Sequence, residues 1–408
     1  MPAQRKPRIL VLNQYYRPGV EATANLLAEL CEALATEYEV TVVTGRVRDQ
    51  EDLPAEEVLD GVRVLRTRST SFDRARLHLR AVNYVTYLAD SVVRSLRLPR
   101  PEVVLTLTDP PMIGDIGLVV ARRFRVPLVV VSEDVFPEIA VELKRLENPV
   151  LIGLLRLMVE TYLRRAERIV AIGETMRVRL ESKGAPPERV RVIENWIDTS
   201  RITPQPRVNP WSRAHGYDRG FVVMHSGNVG HAQDVTTLVR ATSFLRDLEG
   251  LRVVVIGAGA MHASVIALAG RLETTNVFFL PYQPRTVLSE SLSSADVHYL
   301  GLTRGLSGFV VPSRAYGVLA AGRPLLVSAD EECETVRLVR DADCGIVVPS
   351  GRPELVAGAI RDAYDGRYDL EAMGARGRAH VEGEADREVA IARYRSVLAE
   401  LVASSSAQ

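Results

Sequence analysis

Short runs of β-branched and aliphatic residues recur between helical patterns along almost the whole chain, and no other feature of the sequence restricts its fold so tightly. A strand that reads apolar on both faces belongs inside a parallel sheet, and parallel neighbours need a crossover, usually a helix, to connect them. The first series predicts strands over 9–12, 40–44, 62–66, 103–106, 128–131, 169–172 and 190–193, with helices such as 21–36 and 151–166 between them. The second predicts strands over 222–225, 251–256, 277–280, 297–300, 324–327 and 345–348, with helices such as 236–245 and 353–364. Between the two lies 196–218, polar and dotted with Pro204, Pro206 and Pro210, which reads as a linker. The expected fold class is therefore α/β: two Rossmann-like, doubly wound domains over 1–195 and 219–385. A helix over 386–408 is expected to return toward the first domain and end in a disordered tail. The length of 408 residues agrees with two domains. Facing strand edges would put the default ligand site in a cleft between them.

Charge narrows the partners. Lys plus Arg and Asp plus Glu are both 51, so no bulk positive excess exists to displace counterions from a phosphate polymer, and nucleic acid is not an expected partner. Cys31, Cys333 and Cys344 show no C-x-x-C spacing, which suits buried thiols in a reducing cytoplasm. The chain passes from a short polar start into a strand-like run without a signal-peptide pattern, and no apolar run approaches the roughly 18 residues of a membrane span. A cytoplasmic protein is expected. One segment qualifies this: Arg74, Arg76, Arg80, Arg94, Arg97 and Arg100 stand against one acidic residue, Asp90, among many apolar positions. Such a basic amphipathic helix can lie on an anionic membrane surface or pack on the sheet with a solvated basic face.

Three segments of the second domain could carry chemistry. Met224-His-Ser-Gly-Asn-Val-Gly-His-Ala-Gln-Asp234 joins a strand to a helix through two glycines, and its N–H groups suit a diphosphate as well as an ordinary turn. Val253-Val-Val-Ile-Gly-Ala-Gly259 opens like a dinucleotide fingerprint, but the third glycine would fall at His262, and close packing explains the glycines equally well. The stretch from Ser307 to Pro324 places Gly308, Ser313 and Arg314 on a loop entering a helix, where a fixed cation could meet a phosphate.

Together these segments resemble the large retaining family of GT-B glycosyltransferases of the glycosyltransferase family 4 type, and in particular its WbuB-like branch of bacterial exopolysaccharide and O-antigen transferases. The matching stretches are Leu12-Asn-Gln-Tyr-Tyr-Arg-Pro-Gly19, Glu133-Asp-Val-Phe-Pro-Glu138, Val192-Ile-Glu-Asn-Trp-Ile-Asp198, His225-Ser-Gly-Asn-Val-Gly230, Val311-Pro-Ser-Arg314, Ala320-Ala-Gly-Arg-Pro324 and Cys344-Gly-Ile-Val-Val-Pro349. Their order covers nearly the whole chain.

The resemblance implies a GT-B fold and transfer of a sugar from a nucleotide-diphosphate sugar, a co-substrate with no further cofactor. The acceptor would be a glycan, a lipid-linked sugar or a small molecule. Donor contacts would come from Gly19, Gly227, Asn228, Gln233, Tyr282, Gln283, Gly308, Ser313 and Arg314. Asn228 and Gln233 stand where relatives carry an Arg and a Lys, which leaves Arg314 as the principal cation. The family's paired glutamates would fall at Phe309 and Gly317 and are absent, so Glu334 either contacts the donor or caps its helix. In the first domain Asp134, Glu138 and Glu21 are the candidate catalytic and acceptor-orienting groups. Glu133 stands where many relatives have His. A retaining enzyme of this kind needs no covalent nucleophile, and with no D-x-D motif no metal is expected. Two other readings share the expected architecture: a nucleotide-sugar 2-epimerase, and a non-catalytic sugar-nucleotide-binding subunit.

Overall fold

The computed structural model describes residues 5–19, 22–46, 53–72 and 77–406. Its chain divides into two compact units, one formed by Met1–Glu194 with Ile391–Gln408 and the other by Asn195–Ala390.

The first unit is built on eight strands: β1 (Arg8–Leu12), β2 (Glu39–Thr44), β3 (Glu56–Leu59), β4 (Val62–Arg66), β5 (Val103–Thr106), β6 (Leu128–Ser132), β7 (Arg168–Ala171) and β8 (Val190–Val192). They lie in the order β3-β4-β2-β1-β5-β6-β7-β8. All pairings are parallel except β3 with β4, an antiparallel edge that the apolar periodicity does not predict. That strand, Glu-Glu-Val-Leu, is half charged and largely exposed. Its connection nonetheless carries a signal, because Asp60 and Gly61 both adopt positive φ, 49° and 82°, the conformation of the tight hairpin that favours Asp-Gly. The central strands are buried on both faces, as parallel packing between helices demands.

Local chemistry fixes the element ends. Asn148 caps the helix Pro149–Arg165 by accepting from the N–H groups of Val150 (3.0 Å) and Leu151 (3.1 Å), and Pro149 sits where a missing N–H does no harm. Arg125, left-handed at φ 54°, closes the helix Ile113–Phe124. The helix Arg387–Ser406 belongs to this unit over its residues from Ile391 on, where Arg395 donates to the carbonyl of Ala33 (3.1 Å) and Tyr394 is buried. Of the tail expected at the end, 407–408 lie outside the described residues.

The second unit holds β9 (Phe221–Ser226), β10 (Leu251–Ile256), β11 (Val277–Leu280), β12 (Val297–Gly301), β13 (Leu325–Ser328) and β14 (Gly345–Val348), in the order β11-β10-β9-β12-β13-β14 and parallel throughout. The stretch 196–218 packs into this unit rather than bridging freely. It buries Trp196, Trp211 and Tyr217, and it contains a short helix, Pro210–Ala214, closed by a capping box from Asn209. Each such aromatic is worth on the order of 1.5–3 kcal/mol of burial, which outweighs the proline-rich composition that suggested a linker.

Candidate active site

In a doubly wound sheet, a ligand binds where the strand order reverses, outside the carboxyl ends of the strands. In the second unit that point lies between β9 and β12, which are neighbours in the sheet although two strands separate them in sequence. The loops leaving these two strands are 227–234 and 302–313, and they carry Gly227, Asn228, Gln233, Gly308 and Ser313, half of the donor-binding residues expected from the sequence.

The loop after β9 is held open by its neighbours. Gly227 (φ 141°) donates to the carbonyl of Ile256 at 2.9 Å and Val229 donates to that of Ala258 at 2.9 Å. A Cβ on Gly257 (φ 136°) would lie 1.9 Å from the Gly227 oxygen, and one on Gly259 would lie 2.4 Å from Asn228 Oδ1. The Gly-Ala-Gly run is thus a seat for the neighbouring loop, which accounts for its glycines without a dinucleotide. On the other side, the Tyr299 hydroxyl donates to the Asp234 carbonyl (2.8 Å), and Thr303 donates through its N–H to Ala232 (2.9 Å) and through its hydroxyl to His231 (2.8 Å). Gln233 Oε1 accepts from the Gly230 N–H at 3.2 Å and lies 3.5 Å from Asn228 Nδ2, so Asn228 and Gln233 shape the loop that carries them.

Arg314 opens the helix Arg314–Ala320, and its Cδ lies 3.4 Å from where a Gly227 Cβ would be. Its Nη2 donates to the Gly301 carbonyl at 3.2 Å, while Nε has no partner and no carboxylate pairs with it among the described residues. Desolvation pulls its pKa down to about 10, against the opposing influence of Tyr299 and Tyr282. It remains cationic at neutral pH. His225, fully buried at the end of β9, is held well below its usual pKa by burial and by Arg314, so the imidazole beside this cation is neutral. Nothing in the sequence assigns a role to His225 or Ser307. Ser307 is buried with its hydroxyl unpartnered, one position before Gly308 (φ 78°). Such burial of polar atoms is not visible in residue order.

The remaining donor candidates differ in their engagement. Tyr282 is more than half exposed beyond β11 and donates to the Ala258 carbonyl at 3.3 Å, with its ring Cε1 3.4 Å from where a Gly257 Cβ would be. Gln283 is occupied: its Oε1 accepts from Trp211 Nε1 at 2.8 Å and its amide donates to the Pro281 carbonyl. Ser313 immediately precedes Arg314 and makes no side-chain cap bond. Glu334 is buried in the first turn of the helix Glu334–Asp341 and pairs with Arg337 at 3.1 Å.

In the first unit the order reverses between β1 and β5. Glu133 and Asp134 follow β6, next to β5. The Glu133 N–H donates to Thr108 Oγ1 (3.2 Å), and the Ser132 hydroxyl donates to the Asp134 carbonyl (3.1 Å). Glu138 is engaged by two cations, Lys183 at 2.7 Å and Arg156 at 3.0 Å, an arrangement that ties three helical segments together. Gly19 donates to the Tyr16 carbonyl in a tight turn, and Glu21 lies outside the described residues. Asp115, which no motif in the sequence marks, sits in the first turn of Ile113–Phe124 with its carboxyl pushed up to about 6 by burial. Among the described residues, no group of three or more His, Cys, Asp or Glu side chains could hold a metal ion.

Known proteins share both halves of this arrangement. Residues 19–196 match the family described as Glycosyl transferase 4-like domain, and residues 211–380 match Glycosyl transferases group 1. The chain belongs to the GT-B glycosyltransferases. It is 25% identical over 317 residues to the probable glycosyltransferase WbjE of Pseudomonas aeruginosa, covering 77% of this chain and 78% of that protein. It is 27% identical over 207 residues to the putative colanic acid biosynthesis glycosyl transferase WcaI of Escherichia coli (strain K12), covering 49% and 50%. The structure of Anabaena Alr3699/HepE in complex with UDP-glucose superposes with a TM-score of 0.73 at 15% identity, covering 97% of this glycosyltransferase and all of that chain. Its two parallel α/β units thus have the fold of that family.

Proposed function

We propose that this glycosyltransferase is a retaining hexosyltransferase of the WbuB-like kind, which adds a sugar to a glycan or lipid-linked acceptor during polysaccharide assembly at the inner face of the cell membrane. The observation that carries the donor half of this reading is Arg314, a desolvated guanidinium without a carboxylate partner at the switch point of the second sheet. A buried charge of that kind is stabilised by an anion, and a planar fork grips two phosphate oxygens at once. Ser313, Gly308 and the glycine-lined loop at Gly227 let a diphosphate approach, and Tyr282 offers a face for the base. The HepE complex with UDP-glucose supports a uridine donor, and the name of WcaI supports a polysaccharide acceptor.

The leaving diphosphate accepts the acceptor proton on the face where the sugar–phosphate bond breaks, and the acceptor oxygen bonds to the anomeric carbon on that same face. Arg314 stabilises the departing charge without a metal, and Asp134 orients the acceptor hydroxyl. The decisive experiment incubates the protein with UDP-glucose and a panel of sugar and polyprenyl-phosphate-sugar acceptors in EDTA, and reads the linkage by NMR. Product with an α-linkage, formed in EDTA, is expected. A β-linkage overturns retention, restoration of lost activity by Mg²⁺ overturns metal independence, and UDP binding without donor consumption overturns the enzymatic reading.

A further inference from the structure

The helix Leu77–Leu96 is inverted. Its buried stripe, at four-residue spacing, is Asn83, Tyr87, Ser91 and Ser95. Its outward stripe is Val82, Val85, Ala89, Val93 and Leu96, every one apolar, with Val85 64% exposed. The inner face is held by polar contacts: Asn83 accepts from the Phe72 N–H (3.0 Å) and donates to the Phe72 carbonyl (2.9 Å), and the Tyr87 hydroxyl donates to the Val43 carbonyl of β2 (3.1 Å). A helix on the surface of a globular protein normally does the reverse. Of the two placements the sequence leaves open, a solvated basic outer face does not describe the stretch from Val82 to Leu96, whose outward stripe is apolar; Arg74 and Arg76 and the side chain of Arg80 lie outside the described residues, and Arg97 and Arg100 follow the helix.

Two further helices adjoin it in turn. Ile113–Phe124 packs beside Leu77–Leu96, and Pro149–Arg165 packs beside Ile113–Phe124. Pro149–Arg165 exposes Val150, Leu154 and Leu157, the first at 80%. Basic residues gather where two of these helices end: Arg97 and Arg100 follow the first, Arg122, Arg123 and Arg125 finish the second, and Arg100 Nη2 donates to the Arg125 carbonyl at 3.4 Å. The only carboxylate on the first helix, Asp90, is already paired with Arg94. No helix among the described residues is long and apolar enough to cross a membrane.

We infer that this three-helix face is a docking surface for an anionic lipid bilayer, with Leu77–Leu96 lying in the interfacial plane and its valine stripe entering the acyl boundary. Apolar area alone would serve any greasy partner. The flanking arginines, almost uncompensated by acid, select a negatively charged one. The inference deepens the lipid-linked acceptor in the proposed function, since it places the first unit at the surface where such an acceptor resides.

The test uses the full chain with vesicles of phosphatidylethanolamine and phosphatidylglycerol, and with neutral phosphatidylcholine vesicles, in the absence of any sugar. The parent is expected to co-sediment with the anionic vesicles alone. The double variant Val85→Glu with Val93→Glu should stay in the supernatant while keeping the parent melting temperature and UDP affinity. Arg97→Glu should weaken partitioning by at least about fivefold, the equivalent of roughly 1 kcal/mol per cation near the surface. Val85→Trp supplies a reading that does not depend on loss: its fluorescence should be quenched by brominated lipid. Absence of quenching, or equal pelleting of parent and double variant, overturns the inference. So does a concentration-dependent dimer in sedimentation velocity that the double variant abolishes, without vesicle binding, because the stripe would then pair with a second copy. UDP affinity and transfer to a soluble acceptor are measured separately, so a failed vesicle assay leaves the transferase reading standing, and a failed transferase leaves the surface intact.

Discussion

Replacing Arg314 by methionine separates what this side chain does to the fold from what it does for a ligand. Burial lowers its pKa from 12.5 to about 10, and one unit corresponds to about 1.4 kcal/mol, so holding the charge costs the folded protein on the order of 3 kcal/mol. The cost is fully present wherever the guanidinium is charged in both folded and unfolded chains, which includes neutral pH, and it fades as pH rises from about 10 toward 12.5. Methionine keeps an unbranched stem and removes the charge, but it forgoes the hydrogen bond to the Gly301 carbonyl, worth about 1 kcal/mol. The net expectation without ligand is a gain of about 2 kcal/mol, read as a rise in melting temperature of roughly 4–8 °C. With UDP the sign reverses. Loss of a charge-assisted hydrogen bond weakens binding by about 1.5–3 kcal/mol, roughly tenfold to 150-fold. Scanning calorimetry with and without UDP, together with titration calorimetry, measures both limbs. A variant that melts below the parent without UDP and binds UDP with parental affinity would refute the reasoning.

Asp134→Asn should lower transfer by about a hundredfold while sparing UDP affinity and melting temperature, because an orienting contact acts on near-attack geometry; normal transfer with lowered melting would return Asp134 to a turn-stabilising role. Asp115 has its carboxyl raised from 3.8 to about 6. An acid with a raised folded pKa loses stability as pH climbs between those values, so Asp115→Asn should gain about 1–2 kcal/mol at pH 7 after allowance for solvent screening, and little at pH 4. A stability difference that is flat with pH would refute this. Gly257→Ala puts a Cβ 1.9 Å from the Gly227 oxygen at φ 136°, so it should lower stability by about 1–3 kcal/mol and UDP affinity with it; parental UDP affinity would uncouple the two loops.

The parallel strands were legible because burial on both faces leaves an apolar run that few other structures tolerate. β3 was not, since a half-charged edge strand buries little, and only Asp60-Gly61 announced it. Arg314 stood out as a cation on a loop at a strand's carboxyl end. The neutrality of His225 could not be read, because it depends on enclosure by β9 and the neighbouring guanidinium. Nor could the engagement of Glu138 by Lys183, a partner 45 residues away. Leu77–Leu96 shows the limit most clearly: its sequence displays an apolar stripe and a polar one, and only the partner at Val43 decides which is inside.

The passage of the chain through its two units has a consequence for synthesis on the ribosome. Asn195–Ala390 is continuous, and its ends meet where Ile197 donates to the Ala385 carbonyl and accepts from Arg387 N–H, so every residue it needs has been made by the time that junction emerges. The first unit is interrupted by it. Tyr394, Leu398 and Leu401 are buried in that unit, Arg395 pairs with Glu37, and Glu400 pairs with Arg168. Nascent residues 1–194 therefore wait, incompletely covered, for the translation of almost two hundred more. A chain cut short after residue 390 and released would hold every residue of the second unit and lack the helical segment that completes the first.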